Sequence, residues 1–267
     1  NHVAAFIKSF YRRSDMSMLE LTPDFIKEFA AYLSTEAGLR NGSIWANCMW
    51  LKGVVMKAHY NGLIPRNPFI QFHISPNVKE REYLTEDELK AVMTHEFADS
   101  KLAYIRDIFI FASFTALSFV DIQELTNDNI VEVNGEKWIL SKRHKTKVAF
   151  QVKLLDIPLQ IVERYRPMQK DNRIFPGLNY WSICKPLKRM IRECGITKSI
   201  SFHCSRHGFA TLALSKGMPI ESVSRVLGHT NIVTTQLYAK ITTQKLDNDL
   251  TMFGDKLSKT FNGITMS

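Results

Sequence analysis

"HCSRHGFATLALSKGMPIESVSRVLGHTNIVTTQLYAKI", residues 203–241, sets His203, Arg206 and His207 close together among small and apolar residues. Such a cationic cluster is costly to desolvate unless something sits against it; metal, phosphate and carboxylate are the candidates. Positions i and i+3 share a helix face, so the His203 imidazole and the Arg206 guanidinium can approach one anion together. Further on, "LGHT" puts His229 after a glycine at a turn, and "TTQLYAKI" places Tyr238 nine positions after His229. Breaks near Pro176–Gly177, Gly195 and Gly217–Pro219 predict a succession of helices from about Pro158 onward.

Upstream of this stretch the pattern changes. "NIVEVNGEKWILSKRHKTKVAFQVKLLDIP" carries an Asn134–Gly135 hairpin turn and the alternating Val148, Phe150 and Val152, so a small antiparallel sheet is expected. The basic run "KRHKTK" then falls at its second turn. Thr85 and Glu88 fit a capping box at a helix start. The run "IFIFASFTALSFV", 108–120, is too short to span a bilayer and reads as a buried helix. Near the N-terminus, Thr22 and Pro23 predict a helix start, and Ser43 is expected to open another helix closed by Asn61–Gly62. Three prolines over 64–82 and a charged end read as extended chain. The expected organisation is a helical domain over 1–76, a linker at 77–82 and a second domain over 83–267. The fold class is mainly α, with an α+β second domain.

The chain has 267 residues, with 35 Lys+Arg against 26 Asp+Glu, a net charge of +9. That excess points to a polyanion, nucleic acid ahead of an acidic membrane surface. Four scattered cysteines without a CxxC pair read as reduced thiols of a cytosolic protein. The chain opens on Asn1–His2, which reads as a fragment lacking upstream residues. Zinc is the rival ligand, with His203, Cys204, His207 and His229 as candidates. Adjacent His203 and Cys204 would point different ways on a helix and no CxxC completes the set, so phosphate is favoured. Lys145 and the segment "TALSFVDIQEL", leading into Asp121, complete the candidate site.

The order His-x-x-Arg-His, a helical stretch, Leu-Gly-His and then Tyr resembles the C-terminal catalytic box of the tyrosine recombinases, the phage integrase family. "TEDEL", "DIFIFASFTAL" and "HKTK" match more loosely, and "LTPDFIKEF" and "NGLIPRNPF" are similar to the family's core-binding domain. The phrasing looks most like integrases of bacterial mobile elements, of the Bacteroidetes type. The resemblance implies that Tyr238 attacks a DNA phosphodiester, with Arg206 clamping the phosphate. By the same resemblance His203 moves a proton or hydrogen-bonds the phosphate, His229 hydrogen-bonds it, and Lys145 protonates the leaving oxygen. His207 is left a packing role.

In the family an arginine usually follows "TGL"; here the segment is "TALS", with Ser118 in that place. Arg106, Arg143 and Arg225 are the candidates to compensate, with Arg106 and Arg143 ranked level. Arg106 lies about 18 Å from Ser118 on a straight helix. The resemblance further implies no cofactor, double-stranded DNA as partner, a homotetramer on paired sites that is monomeric without DNA, and accessory DNA-bending proteins. It places the protein in the bacterial cytoplasm, at the nucleoid when on DNA, and away from membranes. A type IB topoisomerase and a catalytically impaired DNA-binding protein are the alternatives. Leu250, Phe253, Leu257 and Phe261 form one stripe on a tail helix, to be covered by its own domain or by a neighbouring protomer.

Overall fold

The computed structural model describes residues 2–75, 82–145, 147–169, 171–238, 243–260 and 262. The chain divides into two compact units, Asn1–Glu80 and Arg81–Ser267. In the first unit, α1 (His2–Phe10), α2 (Pro23–Thr35) and α3 (Asn41–Tyr60) enclose one core. The Thr22 side chain accepts from Phe25 N–H, and Pro23 takes a first-turn position that needs no N–H donor. Phe6 packs against Phe25 and Phe29 at ring-centroid distances of 5.2 and 5.5 Å, with Leu33, Cys48 and Val55 buried around them.

Two expectations for this unit are corrected. The third helix begins at Asn41, and Arg40 caps it without a side-chain bond. The proline-containing stretch is not extended chain throughout: Ile64 and Phe69 are buried in the helical core, and Phe72 and Ile74 pack on it. Asn67 Oδ1 accepts from Phe69 N–H at 2.9 Å, folding the chain back. Prolines mark the turns, but burial of the apolar side chains between them decides the path. The expected linker, 77–82, lies outside the described residues apart from Glu82, whose carboxylate accepts from Ser199 N–H at 2.6 Å.

The second unit is built on α5 (Ser100–Thr115), whose Ile105, Ile108, Phe109, Phe111 and Ala112 are all buried. A helix apolar on every side must be wrapped by others. Its neighbours are α4 (Glu86–Thr94), with the Thr85–Glu88 capping box in place, α7 (Asp156–Tyr165), α8 (Tyr180–Glu193) and α9 (His203–Ser215). Among the described residues no helix is long and apolar enough to cross a membrane. α5 stops because Ala116 adopts left-handed backbone, φ 56°, and Ser118 then caps α6 (Phe119–Gln123). β1 (Ile130–Val133), β2 (Glu136–Lys142) and β3 (Ala149–Lys153) form an antiparallel sheet in sequence order, with Ile139 facing Val152. Asn134 and Gly135 both have positive φ, 54° and 77°, as a two-residue hairpin turn of this hand requires. α10 (Ile220–Leu227), α11 (Val233–Gln236) and α12 (Thr243–Thr260) complete the unit.

Candidate active site

Two helix ends and one hairpin turn converge on α9. Arg206 donates from Nη1 to the Ala116 carbonyl at 3.0 Å, at the end of α5, and from Nη2 to the Leu227 carbonyl, at the end of α10. Both acceptors lie at negative helix termini, which favours a cation between them. Burial, and next the charge of Arg143, bring the Arg206 pKa down to about 10, while the Tyr238 phenol and Asp121 act the other way. Arg206 therefore stays charged at neutral pH.

Arg143 is the second cation of the site, and it is buried. Its Nη1 donates to Asp121 Oδ2 at 2.8 Å, its Nη2 to the Val226 carbonyl, and its guanidinium lies 4.1 Å over the Phe150 ring. Asp121 also accepts from Ser118 Oγ at 2.8 Å and, through Oδ1, from His144 N–H at 3.0 Å. Burial pushes this carboxyl up, but the His144, Arg143 and Ser118 bonds outweigh it and hold it below the usual range. Gly228 ends α10 in left-handed backbone at φ 63°, and a Cβ there would stand 2.8 Å from Arg143 Nε. Glycine is thus needed twice: for the turn, and for the arginine stem that crosses it.

His229 is half-buried next to these arginines. Its Nδ1 shares a 2.8 Å hydrogen bond with Thr235 Oγ1. Burial first, then the charges of Arg206, Arg143 and His203, bring its pKa down to about 4. His229 is neutral at pH 7. His203 is exposed at the start of α9, with its ring 4.7 Å from that of His207, and the His207 ring lies 5.1 Å from Tyr238. Tyr238 is half-buried against a small apolar cluster of Ala116, Ala210, Leu214, Val223 and Leu227.

The structure therefore gathers Arg206, Arg143, His229, His203 and Tyr238, with Ser118 beside Asp121. Lys145 stands exposed on the turn between β2 and β3, two positions beyond Arg143. Arg106 and Arg143, ranked level from the sequence, stand in different surroundings. Arg106 donates to Asp107 at 2.9 Å and to the His95 carbonyl at 2.8 Å, and the buried Asp107 also accepts from Arg164 and Tyr165. It lies about 15 Å along α5 from the end that Arg206 caps. Arg225 is exposed on α10. Cys204 is buried, with its Sγ 3.3 Å from Ser201 N and Oγ, whereas neighbouring His203 is exposed. Sequence reasoning passed over Gly228 and over Asp121 as the partner of Arg143. The signal was the coincidence of a basic hairpin with an aspartate three positions after Ser118, a capping-box spacing.

Comparison with known proteins bears on this geometry. The profile of the phage integrase family matches residues 82–245, and that of the phage integrase SAM-like domain matches residues 1–74. The chain belongs to the phage integrase family. Tyrosine recombinase XerA of Pyrococcus horikoshii is 32% identical over 177 residues, 61% of this chain and 58% of the relative. Tyrosine recombinase XerC of Lactobacillus leichmannii is 25% identical over 229 residues, covering 80% of this chain and 77% of the relative. The Tn1549 transposon integrase, solved with a circular intermediate DNA, superposes with a TM-score of 0.75 at 18% identity, over 88% and 86% of the two chains. A lambda integrase dimer bound to a COC′ core site gives 0.68 at 18% identity, over 89% and 86%. The family read from residues 203–241 and the mainly helical fold with one small sheet are both borne out.

In this family member the depressed His229 pKa has a consequence for stability. Between pH 6.5 and about 4 the unfolded chain takes up a proton that folded His229 refuses. The melting temperature is expected to fall as pH drops through that window, with no contribution from His229 above it. In His229→Gln this part of the slope disappears, as melting curves from pH 7.5 to 4.5 will show. A variant slope equal to the parent's would locate the titration elsewhere.

Proposed function

We propose that this chain is a site-specific recombinase acting on double-stranded DNA through a 3′-phosphotyrosine. The observation that carries the reading is the pairing of two guanidinium groups, half-buried Arg206 and buried Arg143, beside neutral His229 and the Tyr238 phenol. One carboxylate, Asp121, is shared with Arg143, so the site holds surplus positive charge suited to a phosphodiester. In the proposed step the Tyr238 oxygen attacks phosphorus and its proton passes to His203. The bond from phosphorus to the 5′ oxygen breaks, and Lys145 delivers a proton to that oxygen from the hairpin turn. Arg206, Arg143 and His229 bind the non-bridging oxygens. Arg143 takes the place that Ser118 leaves, and Arg106 takes no part. Attack by a free 5′ hydroxyl reverses the sequence, so the bond energy is stored covalently, without ATP.

The helical first unit, residues 1–76 as read from sequence, serves as the core-binding domain, and residues 83–267 carry the chemistry. The protein acts as a tetramer on two paired sites, assembled from monomers with DNA-bending accessory proteins, in the bacterial cytoplasm and at the nucleoid. It mediates integration and excision of a mobile element. A substrate nicked so that the 5′ fragment diffuses away tests the reading. Covalent trapping followed by strand exchange between two duplexes is expected; binding without trapping would overturn it.

The tail supports the assembly. Leu250, Phe253 and Leu257 on α12 are 60, 58 and 39% exposed, so the protein's own catalytic unit does not cover the stripe; Phe261 lies outside the described residues. A second copy of the chain is the proposed cover. Truncation after Lys245 is expected to weaken synapsis at least tenfold while changing single-site affinity less than threefold, as native gels with one and two sites will report. Equal losses in both would reject the assignment.

A further inference from the structure

His207 takes no step in the chemistry proposed above, yet its ring lies between two groups that do. It meets the His203 ring edge to face, at 4.7 Å and 84°, and the Tyr238 ring at 5.1 Å and 57°. His203 and His207 are neighbours at i and i+4 on α9, a spacing that the helix itself enforces. Tyr238 arrives from a different segment of the chain. Around it Ile232, Val233 and Leu237 are 36, 58 and 77% exposed, and Thr235, the residue bonded to His229, is the buried one of the short α11. The Tyr238 N–H donates to the Thr235 carbonyl at 3.0 Å, which fixes the backbone there, whereas the direction of the phenol is set by what its ring packs against. The Tyr238 ring rests on the small apolar cluster on one side and on His207 on another.

We infer that His207 is a positioning residue: its ring is the wall that aims Tyr238 toward Arg206 and holds it in register with His203. The inference rests on the reading of Tyr238 as nucleophile. The function required of His207 is a flat, rigid ring on a fixed helix; it carries no proton in the reaction. A misplacement of about 1 Å in a reacting group is enough to cost ~10²-fold in rate.

The test compares His207→Phe, which keeps a ring, with His207→Leu and His207→Gln, which do not. Single-turnover cleavage of the nicked substrate is measured at saturating DNA across pH 6 to 9. A 3-fluorotyrosine placed at position 238 reports its surroundings by fluorine NMR without DNA. The expected result is cleavage slowed at least tenfold in the Leu and Gln variants, recovery to within about threefold in the Phe variant, and an unaltered pH profile. The fluorine resonance should move on substitution by Leu or Gln and stay near the parent position with Phe. The inference is overturned if Phe is as slow as Leu, if Gln alone recovers the rate, if all three match the parent, or if the resonance does not move. Tyr238→Phe run in parallel separates the two ideas. Trapping that persists there rejects the nucleophile itself, whatever the His207 variants do.

Discussion

Replacing Tyr238 with phenylalanine is expected to abolish covalent attachment, by ~10⁴-fold or more, while DNA affinity changes less than about twofold. The asymmetry follows from how the side chain is held. Its ring packs against the apolar cluster and the His207 ring, and phenylalanine keeps both contacts. The substitution removes one oxygen, which here favours the charged form of Arg206. Arg206 retains its bonds to the Ala116 and Leu227 carbonyls, so the proposed phosphate clamp stays assembled. Trapping on the nicked substrate and fluorescence anisotropy measure the two quantities on one preparation. Residual trapping in the variant would assign the nucleophile to another residue.

Arg143→Ala is expected to slow cleavage by ~10²–10³-fold, the scale of one lost charge-stabilising donor in an active site. It should also lower stability, because Asp121 would lose its charged partner in a buried setting, a change that typically costs ~3–5 kcal/mol. The informative companion is Ser118→Arg, which restores the residue usual in the family at that position. Restoration is expected to impair this protein. Ser118 caps α6 and donates to Asp121, and a guanidinium there would compete with Arg143 for the same carboxylate oxygen. Losing the cap alone costs ~1 kcal/mol. Combining Ser118→Arg with Arg143→Ala should recover part of the rate lost by either, since one arginine again faces one aspartate. A double variant no better than the worse single one would show that the two positions do not exchange roles. Cleavage rates normalised to DNA affinity, with melting temperatures alongside, make the comparison.

Much of the site was legible because its spacing is local. His203, Arg206 and His207 sit within about one turn of a single helix, whose geometry fixes which side chains share a face whatever surrounds it. The same holds for the Thr85–Glu88 capping box, the Asn134–Gly135 turn and the breaks at Gly195 and Gly217. The errors fall where sequence-distant groups compete. The stretch after Ile64 reads as extended from its prolines, yet Ile64 and Phe69 are buried within the helical core. Arg106 and Arg143 could not be ranked from their positions along the chain.

The sequence by itself determined a basic, two-part, mainly helical chain with one hairpin sheet, and the ordered run of His203, Arg206, His229 and Tyr238. Only the tertiary structure decided where Arg143 and Arg106 lie relative to that run. Folding back the hairpin after β2 carries Arg143 onto Asp121, the Val226 carbonyl and the open side of Gly228, while Asp107 and the His95 carbonyl hold Arg106 elsewhere. It also decided that His207 lies against Tyr238, and that the α12 stripe faces outward. The physical reason is one of range. Helix periodicity and capping act over a few residues and are written in their spacing. The partner of a buried charge is chosen by desolvation, which drives each cation to whichever acceptors the whole fold brings within about 3 Å.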